Sequence, residues 1–364
     1  MWNGRIFVQH VAVEGLATAG GIQGTIADAC VELLKWAGIH PVVKWVDDFV
    51  FFRSPTTSQP PQIAPMAPSF AYDLNTILRF TKPLGIPWHP ISRKGQNFGP
   101  TFTYVGFMWD LTSCSVSSTS EKKQRVLSKL TTFLTNAPHK VKRRETASLH
   151  SSLQHLTFVY CHGRHSLLAL SNFLAKFPND FVSHHVPHAV LTQLSWWRET
   201  LTMPPACRSL VPLPLLDPDI WIDAASSWGI GLYIGGLWAA WELAPNWATS
   251  SQDIRWVEAI ALEITVLWLA ESSFHDACIK VNCDNTNVID AFQKGRSRNA
   301  PRNDCIRRIS IILAISNLSL LPNYVASALN KANSFSRGIP SDPSHRIPAS
   351  IHLLPVLSSF LDRK

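Results

Sequence analysis

Two knots of acidic residues are the parts of this chain best able to do chemistry. The first is Asp47-Asp48, set between Val43-Lys44-Trp45-Val46 and Phe49-Val50-Phe51-Phe52. β-Branched and aromatic residues on both sides predict a tight hairpin with the acids at its tip. Two negative charges projected at one point repel each other unless a cation binds between them. Magnesium suits such a pair, because it is a hard ion that takes oxygen ligands and completes its shell with phosphates. A solvated Asp-Asp turn accounts for the same residues without any ligand.

The second knot is dispersed along the sequence. Asp223 falls in a strand, Glu258 on the first turns of a helix and Asp284 at the end of another strand. If the two strands are neighbours and the helix crosses them, the three carboxylates meet. Such a cluster needs cations and is the physical basis of two-metal phosphodiester chemistry, with Mg2+ or Mn2+ as the ion. Glu263 lies five residues beyond Glu258, about 140° round the helix, so the two cannot share a face. Glu258, flanked by Ala259, Ile260 and Ala261, is the candidate. A cap or a surface carboxylate is the alternative for each acid taken singly.

The elements that must position these acids can be read from periodicity. Ile22 to Leu34 has helical spacing, Val42 to Arg53 reads as the hairpin, and Tyr72 to Phe80 as a short helix. Residues 54–69, rich in Pro, Ser and Thr, read as a surface loop, and Thr101 to Asp110 as strand with a glycine bend. From Glu121 to Thr200 the pattern is helical. Lys122, Lys123, Arg125, Lys129, Lys140, Lys142, Arg143 and Arg144 mark either solvated helix faces or a nucleic-acid track. The prolines of 203–219 predict a linker.

Beyond that linker come strands at 220–224, 228–234 and 237–243, with a Gly235-Gly236 turn, then a helix over 253–270 capped by Asp253. A strand at 278–283, a helix from Asn285 to Gly295, a helix over 303–316 and a strand over 322–328 complete the order βββαβααβ. Gly229 and Gly231 alternate within a strand and open no helix, which excludes a dinucleotide-binding loop. The expected fold class is therefore α+β or α/β with a mixed sheet.

Bulk properties agree with a folded chain and an anionic partner. The 364 residues allow two or three domains; 46% are hydrophobic and 16% charged, and the net charge is +8 with pI near 9.2. Fourteen tryptophans offer flat surfaces for cores and for base stacking. Seven scattered cysteines without a C-x-x-C pair argue against disulfides or zinc and for a reducing intracellular compartment. His184, His185 and His188 read as loop or helix-start residues rather than metal ligands. No apolar run is long enough to span a bilayer, and no signal-peptide core is expected at the N-terminus.

Taken together, these motifs resemble the reverse transcriptase–RNase H region of DIRS-like (tyrosine-recombinase-type) retrotransposon polyproteins, over most of the chain. Val46-Asp47-Asp48-Phe49 is similar to the catalytic hairpin of a polymerase palm. The segment Gly15 to Asp28, with Gly21 and Gln23, resembles the one beneath the templating base and incoming nucleotide. Lys94 stands where the family often has a lysine before the primer grip, and Tyr104-Val105-Gly106-Phe107 looks like that grip. Downstream, the strand with Asp223, the Glu258 helix, Cys283-Asp284-Asn285 and Asn330 to Gly338, which includes Arg337, resemble the RNase H pattern.

The resemblance implies a partial palm at 1–112, a helical thumb and connection at 113–202, a linker at 203–219, an RNase H-like domain at 220–340 and a tail at 341–364. It implies an RNA–DNA hybrid or duplex as partner. Two departures matter. Residues 1–14 contain no aspartate, so the first of the palm's three catalytic aspartates and the fingers are expected to be missing. A dNTP would then bind only if another chain completed the palm. Asn333 stands where the family has a fourth RNase H carboxylate, which predicts a weaker metal site. The expectations are an RNase H with an incomplete polymerase, a non-catalytic nucleic-acid binder, or an RNase H-like scaffold for protein contacts.

Overall fold

The computed structural model describes residues 19–56, 69–136, 140–204, 206–245, 247–249, 252–348 and 351–364. The chain forms two compact units, Met1–Thr119 and Ser120–Lys364. The fold is α+β with a mixed sheet, the expected class. Among the described residues no helix is long and apolar enough to cross a membrane.

In the first unit, α1 (Ala19–Trp36) buries Ala27, Cys30, Val31 and Leu34, a stripe at helical spacing. It packs on Ile39, Val42, Tyr72 and Ile77. Gly38 ends the helix with φ +75°, a conformation that costs glycine little. The strands β1 (Val42–Trp45) and β2 (Asp48–Phe51) form the expected hairpin. Helix α2 (Leu74–Thr81) starts at Asp73, whose carboxylate accepts from the Thr76 amide at 2.8 Å. The stretch expected as bent strand over 101–110 is a second hairpin, β3 (Thr101–Tyr104) and β4 (Phe107–Asp110), followed by β5 (Ser115–Ser118). Val105 and Gly106 both have positive φ, so the chain reverses there rather than bending.

The second unit opens with α3 (Ser120–Asn136), β6 (Lys140–Lys142), α4 (Arg143–Leu156), α5 (Leu168–Leu174), β7 (Ser183–His185), α6 (His188–Thr202) and β8 (Cys207–Ser209). Lys140 to Lys142, expected to be helical, pair with β7 and bring Val141 opposite His184. A six-stranded sheet follows, built from β9 (Leu215–Ala224), β10 (Gly229–Ile234), β11 (Leu237–Leu243), β12 (Ala277–Cys283), β13 (Leu318–Tyr324) and β14 (Leu361–Arg363). Their spatial order is β13-β12-β9-β10-β11-β14. β9, β10 and β11 run antiparallel in sequence; β12 lies parallel to β9, and β13 parallel to β12.

Helices α7 (Ile254–Glu271), α8 (Thr286–Lys294) and α9 (Ala300–Ile315) connect the parallel strands, and α10 (Pro355–Ser358) precedes β14. α7 packs on β9 and β10 on one side and on α9 on the other, so it is apolar nearly all round. At about 1.5–3 kcal/mol for each fully buried aliphatic side chain, Val257, Ile260, Ile264, Val266 and Leu269 make this helix the anchor of the core.

Three expected boundaries moved, two of them at prolines. β9 starts at Leu215, inside the expected linker, because a register shift opposite Ile279 and Val281 accommodates Pro218 and Asp219. β13 starts at Leu318 and carries Pro322 within it, which an edge strand tolerates since proline removes only a donor. Residues 341–364 are not a tail. Ile347, Ile351, Leu357 and Leu361 enter the main core, and β14 pairs with β11.

Candidate functional site

Asp223, Glu258 and Asp284 come together, each offering an oxygen within 4.8 Å of the others. Their positions follow from the sheet. Asp223 is near the C-terminal end of β9, Asp284 directly follows the adjacent parallel strand β12, and Glu258 is one turn into α7. Asn285, next to Asp284, caps α8 by accepting from the Asn287 amide at 3.0 Å. Glu263 is absent from the cluster. It is fully buried against Arg308, whose Nη2 donates to its Oε2 at 2.8 Å.

The cluster is strained by its own charge. Burial, reinforced by Asp223 and Asp284, pushes the Glu258 carboxyl up to about 9. Burial raises Asp223 as well, against the hydrogen bond from Ser336 and the positive charge of Arg337. Glu258 Oε2 is buried without a hydrogen-bond partner. An orphaned carboxylate oxygen facing two others, with Asp284 half-buried at the opening, is a donor set that fits a hard divalent cation.

The segment 330–338 closes one side of the site. Asn330 ties it to β9 by donating to the Ile222 carbonyl at 2.9 Å, while its own Oδ1 accepts from the Ala332 amide at 3.1 Å. The Ser336 hydroxyl donates to Asp223 Oδ2. Arg337 is exposed at the rim. Asn333 turns its amide nitrogen to the Ser327 carbonyl at 2.8 Å, and its Oδ1 is buried without a partner.

Gly231, Ser336, Asn330 and Asn285 were missed in the sequence as site residues. Asn285, Asn330 and Ser336 lie in segments whose resemblance was noted without giving them a role, and Gly231 carried the general signal that a glycine within a strand marks close backbone approach.

The other acidic pair sits differently. Val46 and Asp47 form the two-residue turn, Asp47 is exposed, and Asp48 is the first residue of β2, paired with Trp45. Val46 has φ +55°, an unfavourable conformation for a β-branched residue. Lys94 Nζ lies 3.4 Å from Asp48 Oδ1, an exposed pair worth little. Burial and the charge of Asp48 raise the Tyr104 phenol, which places the β3–β4 hairpin with Gly106 beside the acidic one. Among the described residues no third acid joins Asp47 and Asp48. Gly21 and Gln23 are exposed on α1. Residues 15–18 of the expected nucleotide-side segment lie outside the described residues.

No family model and no curated protein matches this chain. Among solved structures it is similar to the foamy viral protease-reverse transcriptase in complex with an RNA/DNA hybrid. The TM-score is 0.38 at 12% identity, over 95% of this chain and 42% of that one. The chain therefore spans less than half the length of that relative.

Proposed function

We propose that this chain is a retroelement-derived reverse transcriptase–RNase H fragment whose working site is the Asp223–Glu258–Asp284 cluster, acting on the RNA strand of an RNA–DNA hybrid. One observation carries the reading: three carboxylates converge at the strand ends of a mixed sheet while one of their oxygens is buried and unpaired. Asp223, Glu258 and Asp284 would hold magnesium or manganese, which supplies Lewis-acid stabilisation of the phosphoryl oxygens and an activated water. Ser336 fixes the Asp223 carboxylate. Arg337, exposed beside them, offers its guanidinium to a strand phosphate.

The polymerase half is proposed to be incomplete, since Asp47 and Asp48 lack a third carboxylate among the described residues. A dNTP would need a third acid from outside the described residues. The test is cleavage of a labelled hybrid with magnesium or manganese, compared with Asp223→Asn. Loss of cleavage in the variant is expected; equal activity removes the site assignment.

A second reading, a non-catalytic hybrid binder, is favoured by Asn333, whose amide is committed to Ser327 rather than to the acids. It expects salt-sensitive binding without turnover. No observation favours the third expectation, a scaffold for protein contacts.

A further inference from the structure

The face of the sheet turned away from α7 carries an aromatic cavity that the acidic site does not use. Along β11 the side chains alternate. Ala239, Trp241 and Leu243 enter the main core, while Trp238 and Ala240 form a second small cluster with Phe335. Trp238 and Phe335 stack with ring centroids 5.4 Å apart and planes 3° from parallel. Trp228 packs against the same cluster, its indole so close to Gly338 that any Cβ there would run into it. These three rings, with Pro340 and Pro343, line a cavity of about 370 Å³. Trp238 Nε1 donates to the Asp342 carbonyl at 3.0 Å, and the Ile347 amide donates to the Trp238 carbonyl at 2.8 Å. The walls are thereby fixed to β11 before any ligand arrives.

Glu242, Lys364 and Arg346 supply the charges of the lining. Lys364 Nζ lies 2.9 Å from both Glu242 Oε2 and Asp362 Oδ2, so those charges are matched. Arg346 is exposed and has no acidic partner among the described residues. Burial, and then the like charge of Arg346, depress the Arg363 guanidinium. A planar ring carrying an anionic group fits this arrangement, the ring against the indoles and its oxygens on the guanidinium. The volume falls at the small end of ordinary ligand pockets, which suits one ring system and its substituent.

We propose that this cavity binds one nucleobase against Trp228 and Trp238, with the attached phosphate on Arg346. A free nucleotide and the unpaired end of a strand present the same chemistry. The choice of a nucleobase over other aromatic anions rests on the nucleic-acid reading proposed above.

The test is equilibrium dialysis of the full chain against labelled AMP in EDTA, which keeps divalent ions off the acidic cluster. Saturable binding of one AMP per chain is expected. Trp228→Ala should weaken it by about tenfold or more, the scale of one base–aromatic stack, and Trp228→Phe should recover most of the loss. Arg346→Gln should reduce AMP binding to the level of adenosine and leave adenosine binding at its parental level. Arg346 is exposed, so this variant remains informative even if Trp228→Ala melts early. A hybrid with an unpaired 3′ adenosine, compared with a blunt hybrid, separates the two sources. Tighter binding of the overhanging hybrid, lost in Trp228→Ala, assigns the pocket to a strand end; AMP binding without that difference assigns it to a free nucleotide.

Equal AMP binding by the parent, Trp228→Ala and Arg346→Gln overturns the proposal. Phenyl phosphate or a proline-rich peptide that outcompetes AMP overturns it in favour of a different occupant. Absence of AMP and overhang binding, with the blunt hybrid still bound, overturns it and leaves the hybrid reading standing. Loss of all three overturns both.

Discussion

Gly231 and Asp223 face each other across β10 and β9, and the glycine leaves room for the segment that holds the acid. A Cβ on Gly231 would fall 2.5 Å from the Ala332 carbonyl oxygen and 2.6 Å from the Ser336 amide nitrogen. Both are backbone atoms and cannot swing aside. Gly231→Ala must therefore lift the 330–338 segment and pull Ser336 away from Asp223. A cost of about 1–3 kcal/mol in stability is expected from such overpacking. If the chain cleaves hybrids, activity should fall further than Ser336→Ala alone lowers it. A Gly231→Ala protein with parental melting temperature would contradict this packing.

Glu258 makes the metal-free protein sensitive to pH in an unusual direction. Its carboxyl is raised from 4.5 to about 9 in the folded state. Between those values the folded chain keeps a proton that the unfolded chain has released. Stability therefore falls as pH rises through that window and levels off above it. Asp223 is raised as well and acts in the same sense. In EDTA the melting temperature should decline from pH 5 towards pH 9, and Glu258→Gln should flatten that decline and melt higher than the parent at pH 8. Magnesium at 100 times its Kd should add about 2.7 kcal/mol to the parent and much less to the variant. A parent that grows more stable towards pH 9 in EDTA would remove the buried-cluster argument.

How much of this could be read in the sequence depended on how local the signal was. Asp223, Glu258 and Asp284 sit on elements with clear periodicity, so their meeting could be anticipated from strand and helix order alone. Proline misled at two places. Pro218 and Pro322 resemble chain breaks, yet a register shift and an edge position accommodate them. The partners of Lys140–Lys142 and Leu361–Arg363 lie about 45 and 120 residues upstream or downstream in strands no local pattern announces. Ser336 and Asn330 act through contacts made more than 100 residues away, at separations of 113 and 108. The motif resemblance of Asn330 to Gly338 marks the segment, but local periodicity does not say which atoms it meets.

Glu263 separates structural from chemical acids on the same helix. It is fully buried and its partner Arg308 is partly buried, so removing one charge leaves the other without its partner. Glu263→Ala should cost about 3–5 kcal/mol, whereas Glu263→Met with Arg308→Leu should recover most of it. Urea unfolding reads both variants. Magnesium binding should survive in the double variant, since Glu263 lies outside the cluster. Loss of the metal response there would mean the two acids are not independent.

Asn333 decides between a weakened nuclease and a binder. Its amide nitrogen donates to the Ser327 carbonyl at 2.8 Å, which holds the side chain in place. In Asn333→Asp that donor becomes an acceptor, so the carboxylate is repelled from the carbonyl and released towards the cationic needs of the site. The new charge should tighten divalent-ion binding, seen as a lower magnesium concentration for half-maximal thermal stabilisation. Hybrid cleavage should rise by about tenfold or more, a change of roughly 1.4 kcal/mol in barrier. Cleavage that first becomes measurable in the variant would make the natural chain a hybrid binder with a disabled site. Tighter magnesium binding without turnover in either protein would leave the acidic cluster a metal site and remove the nuclease reading.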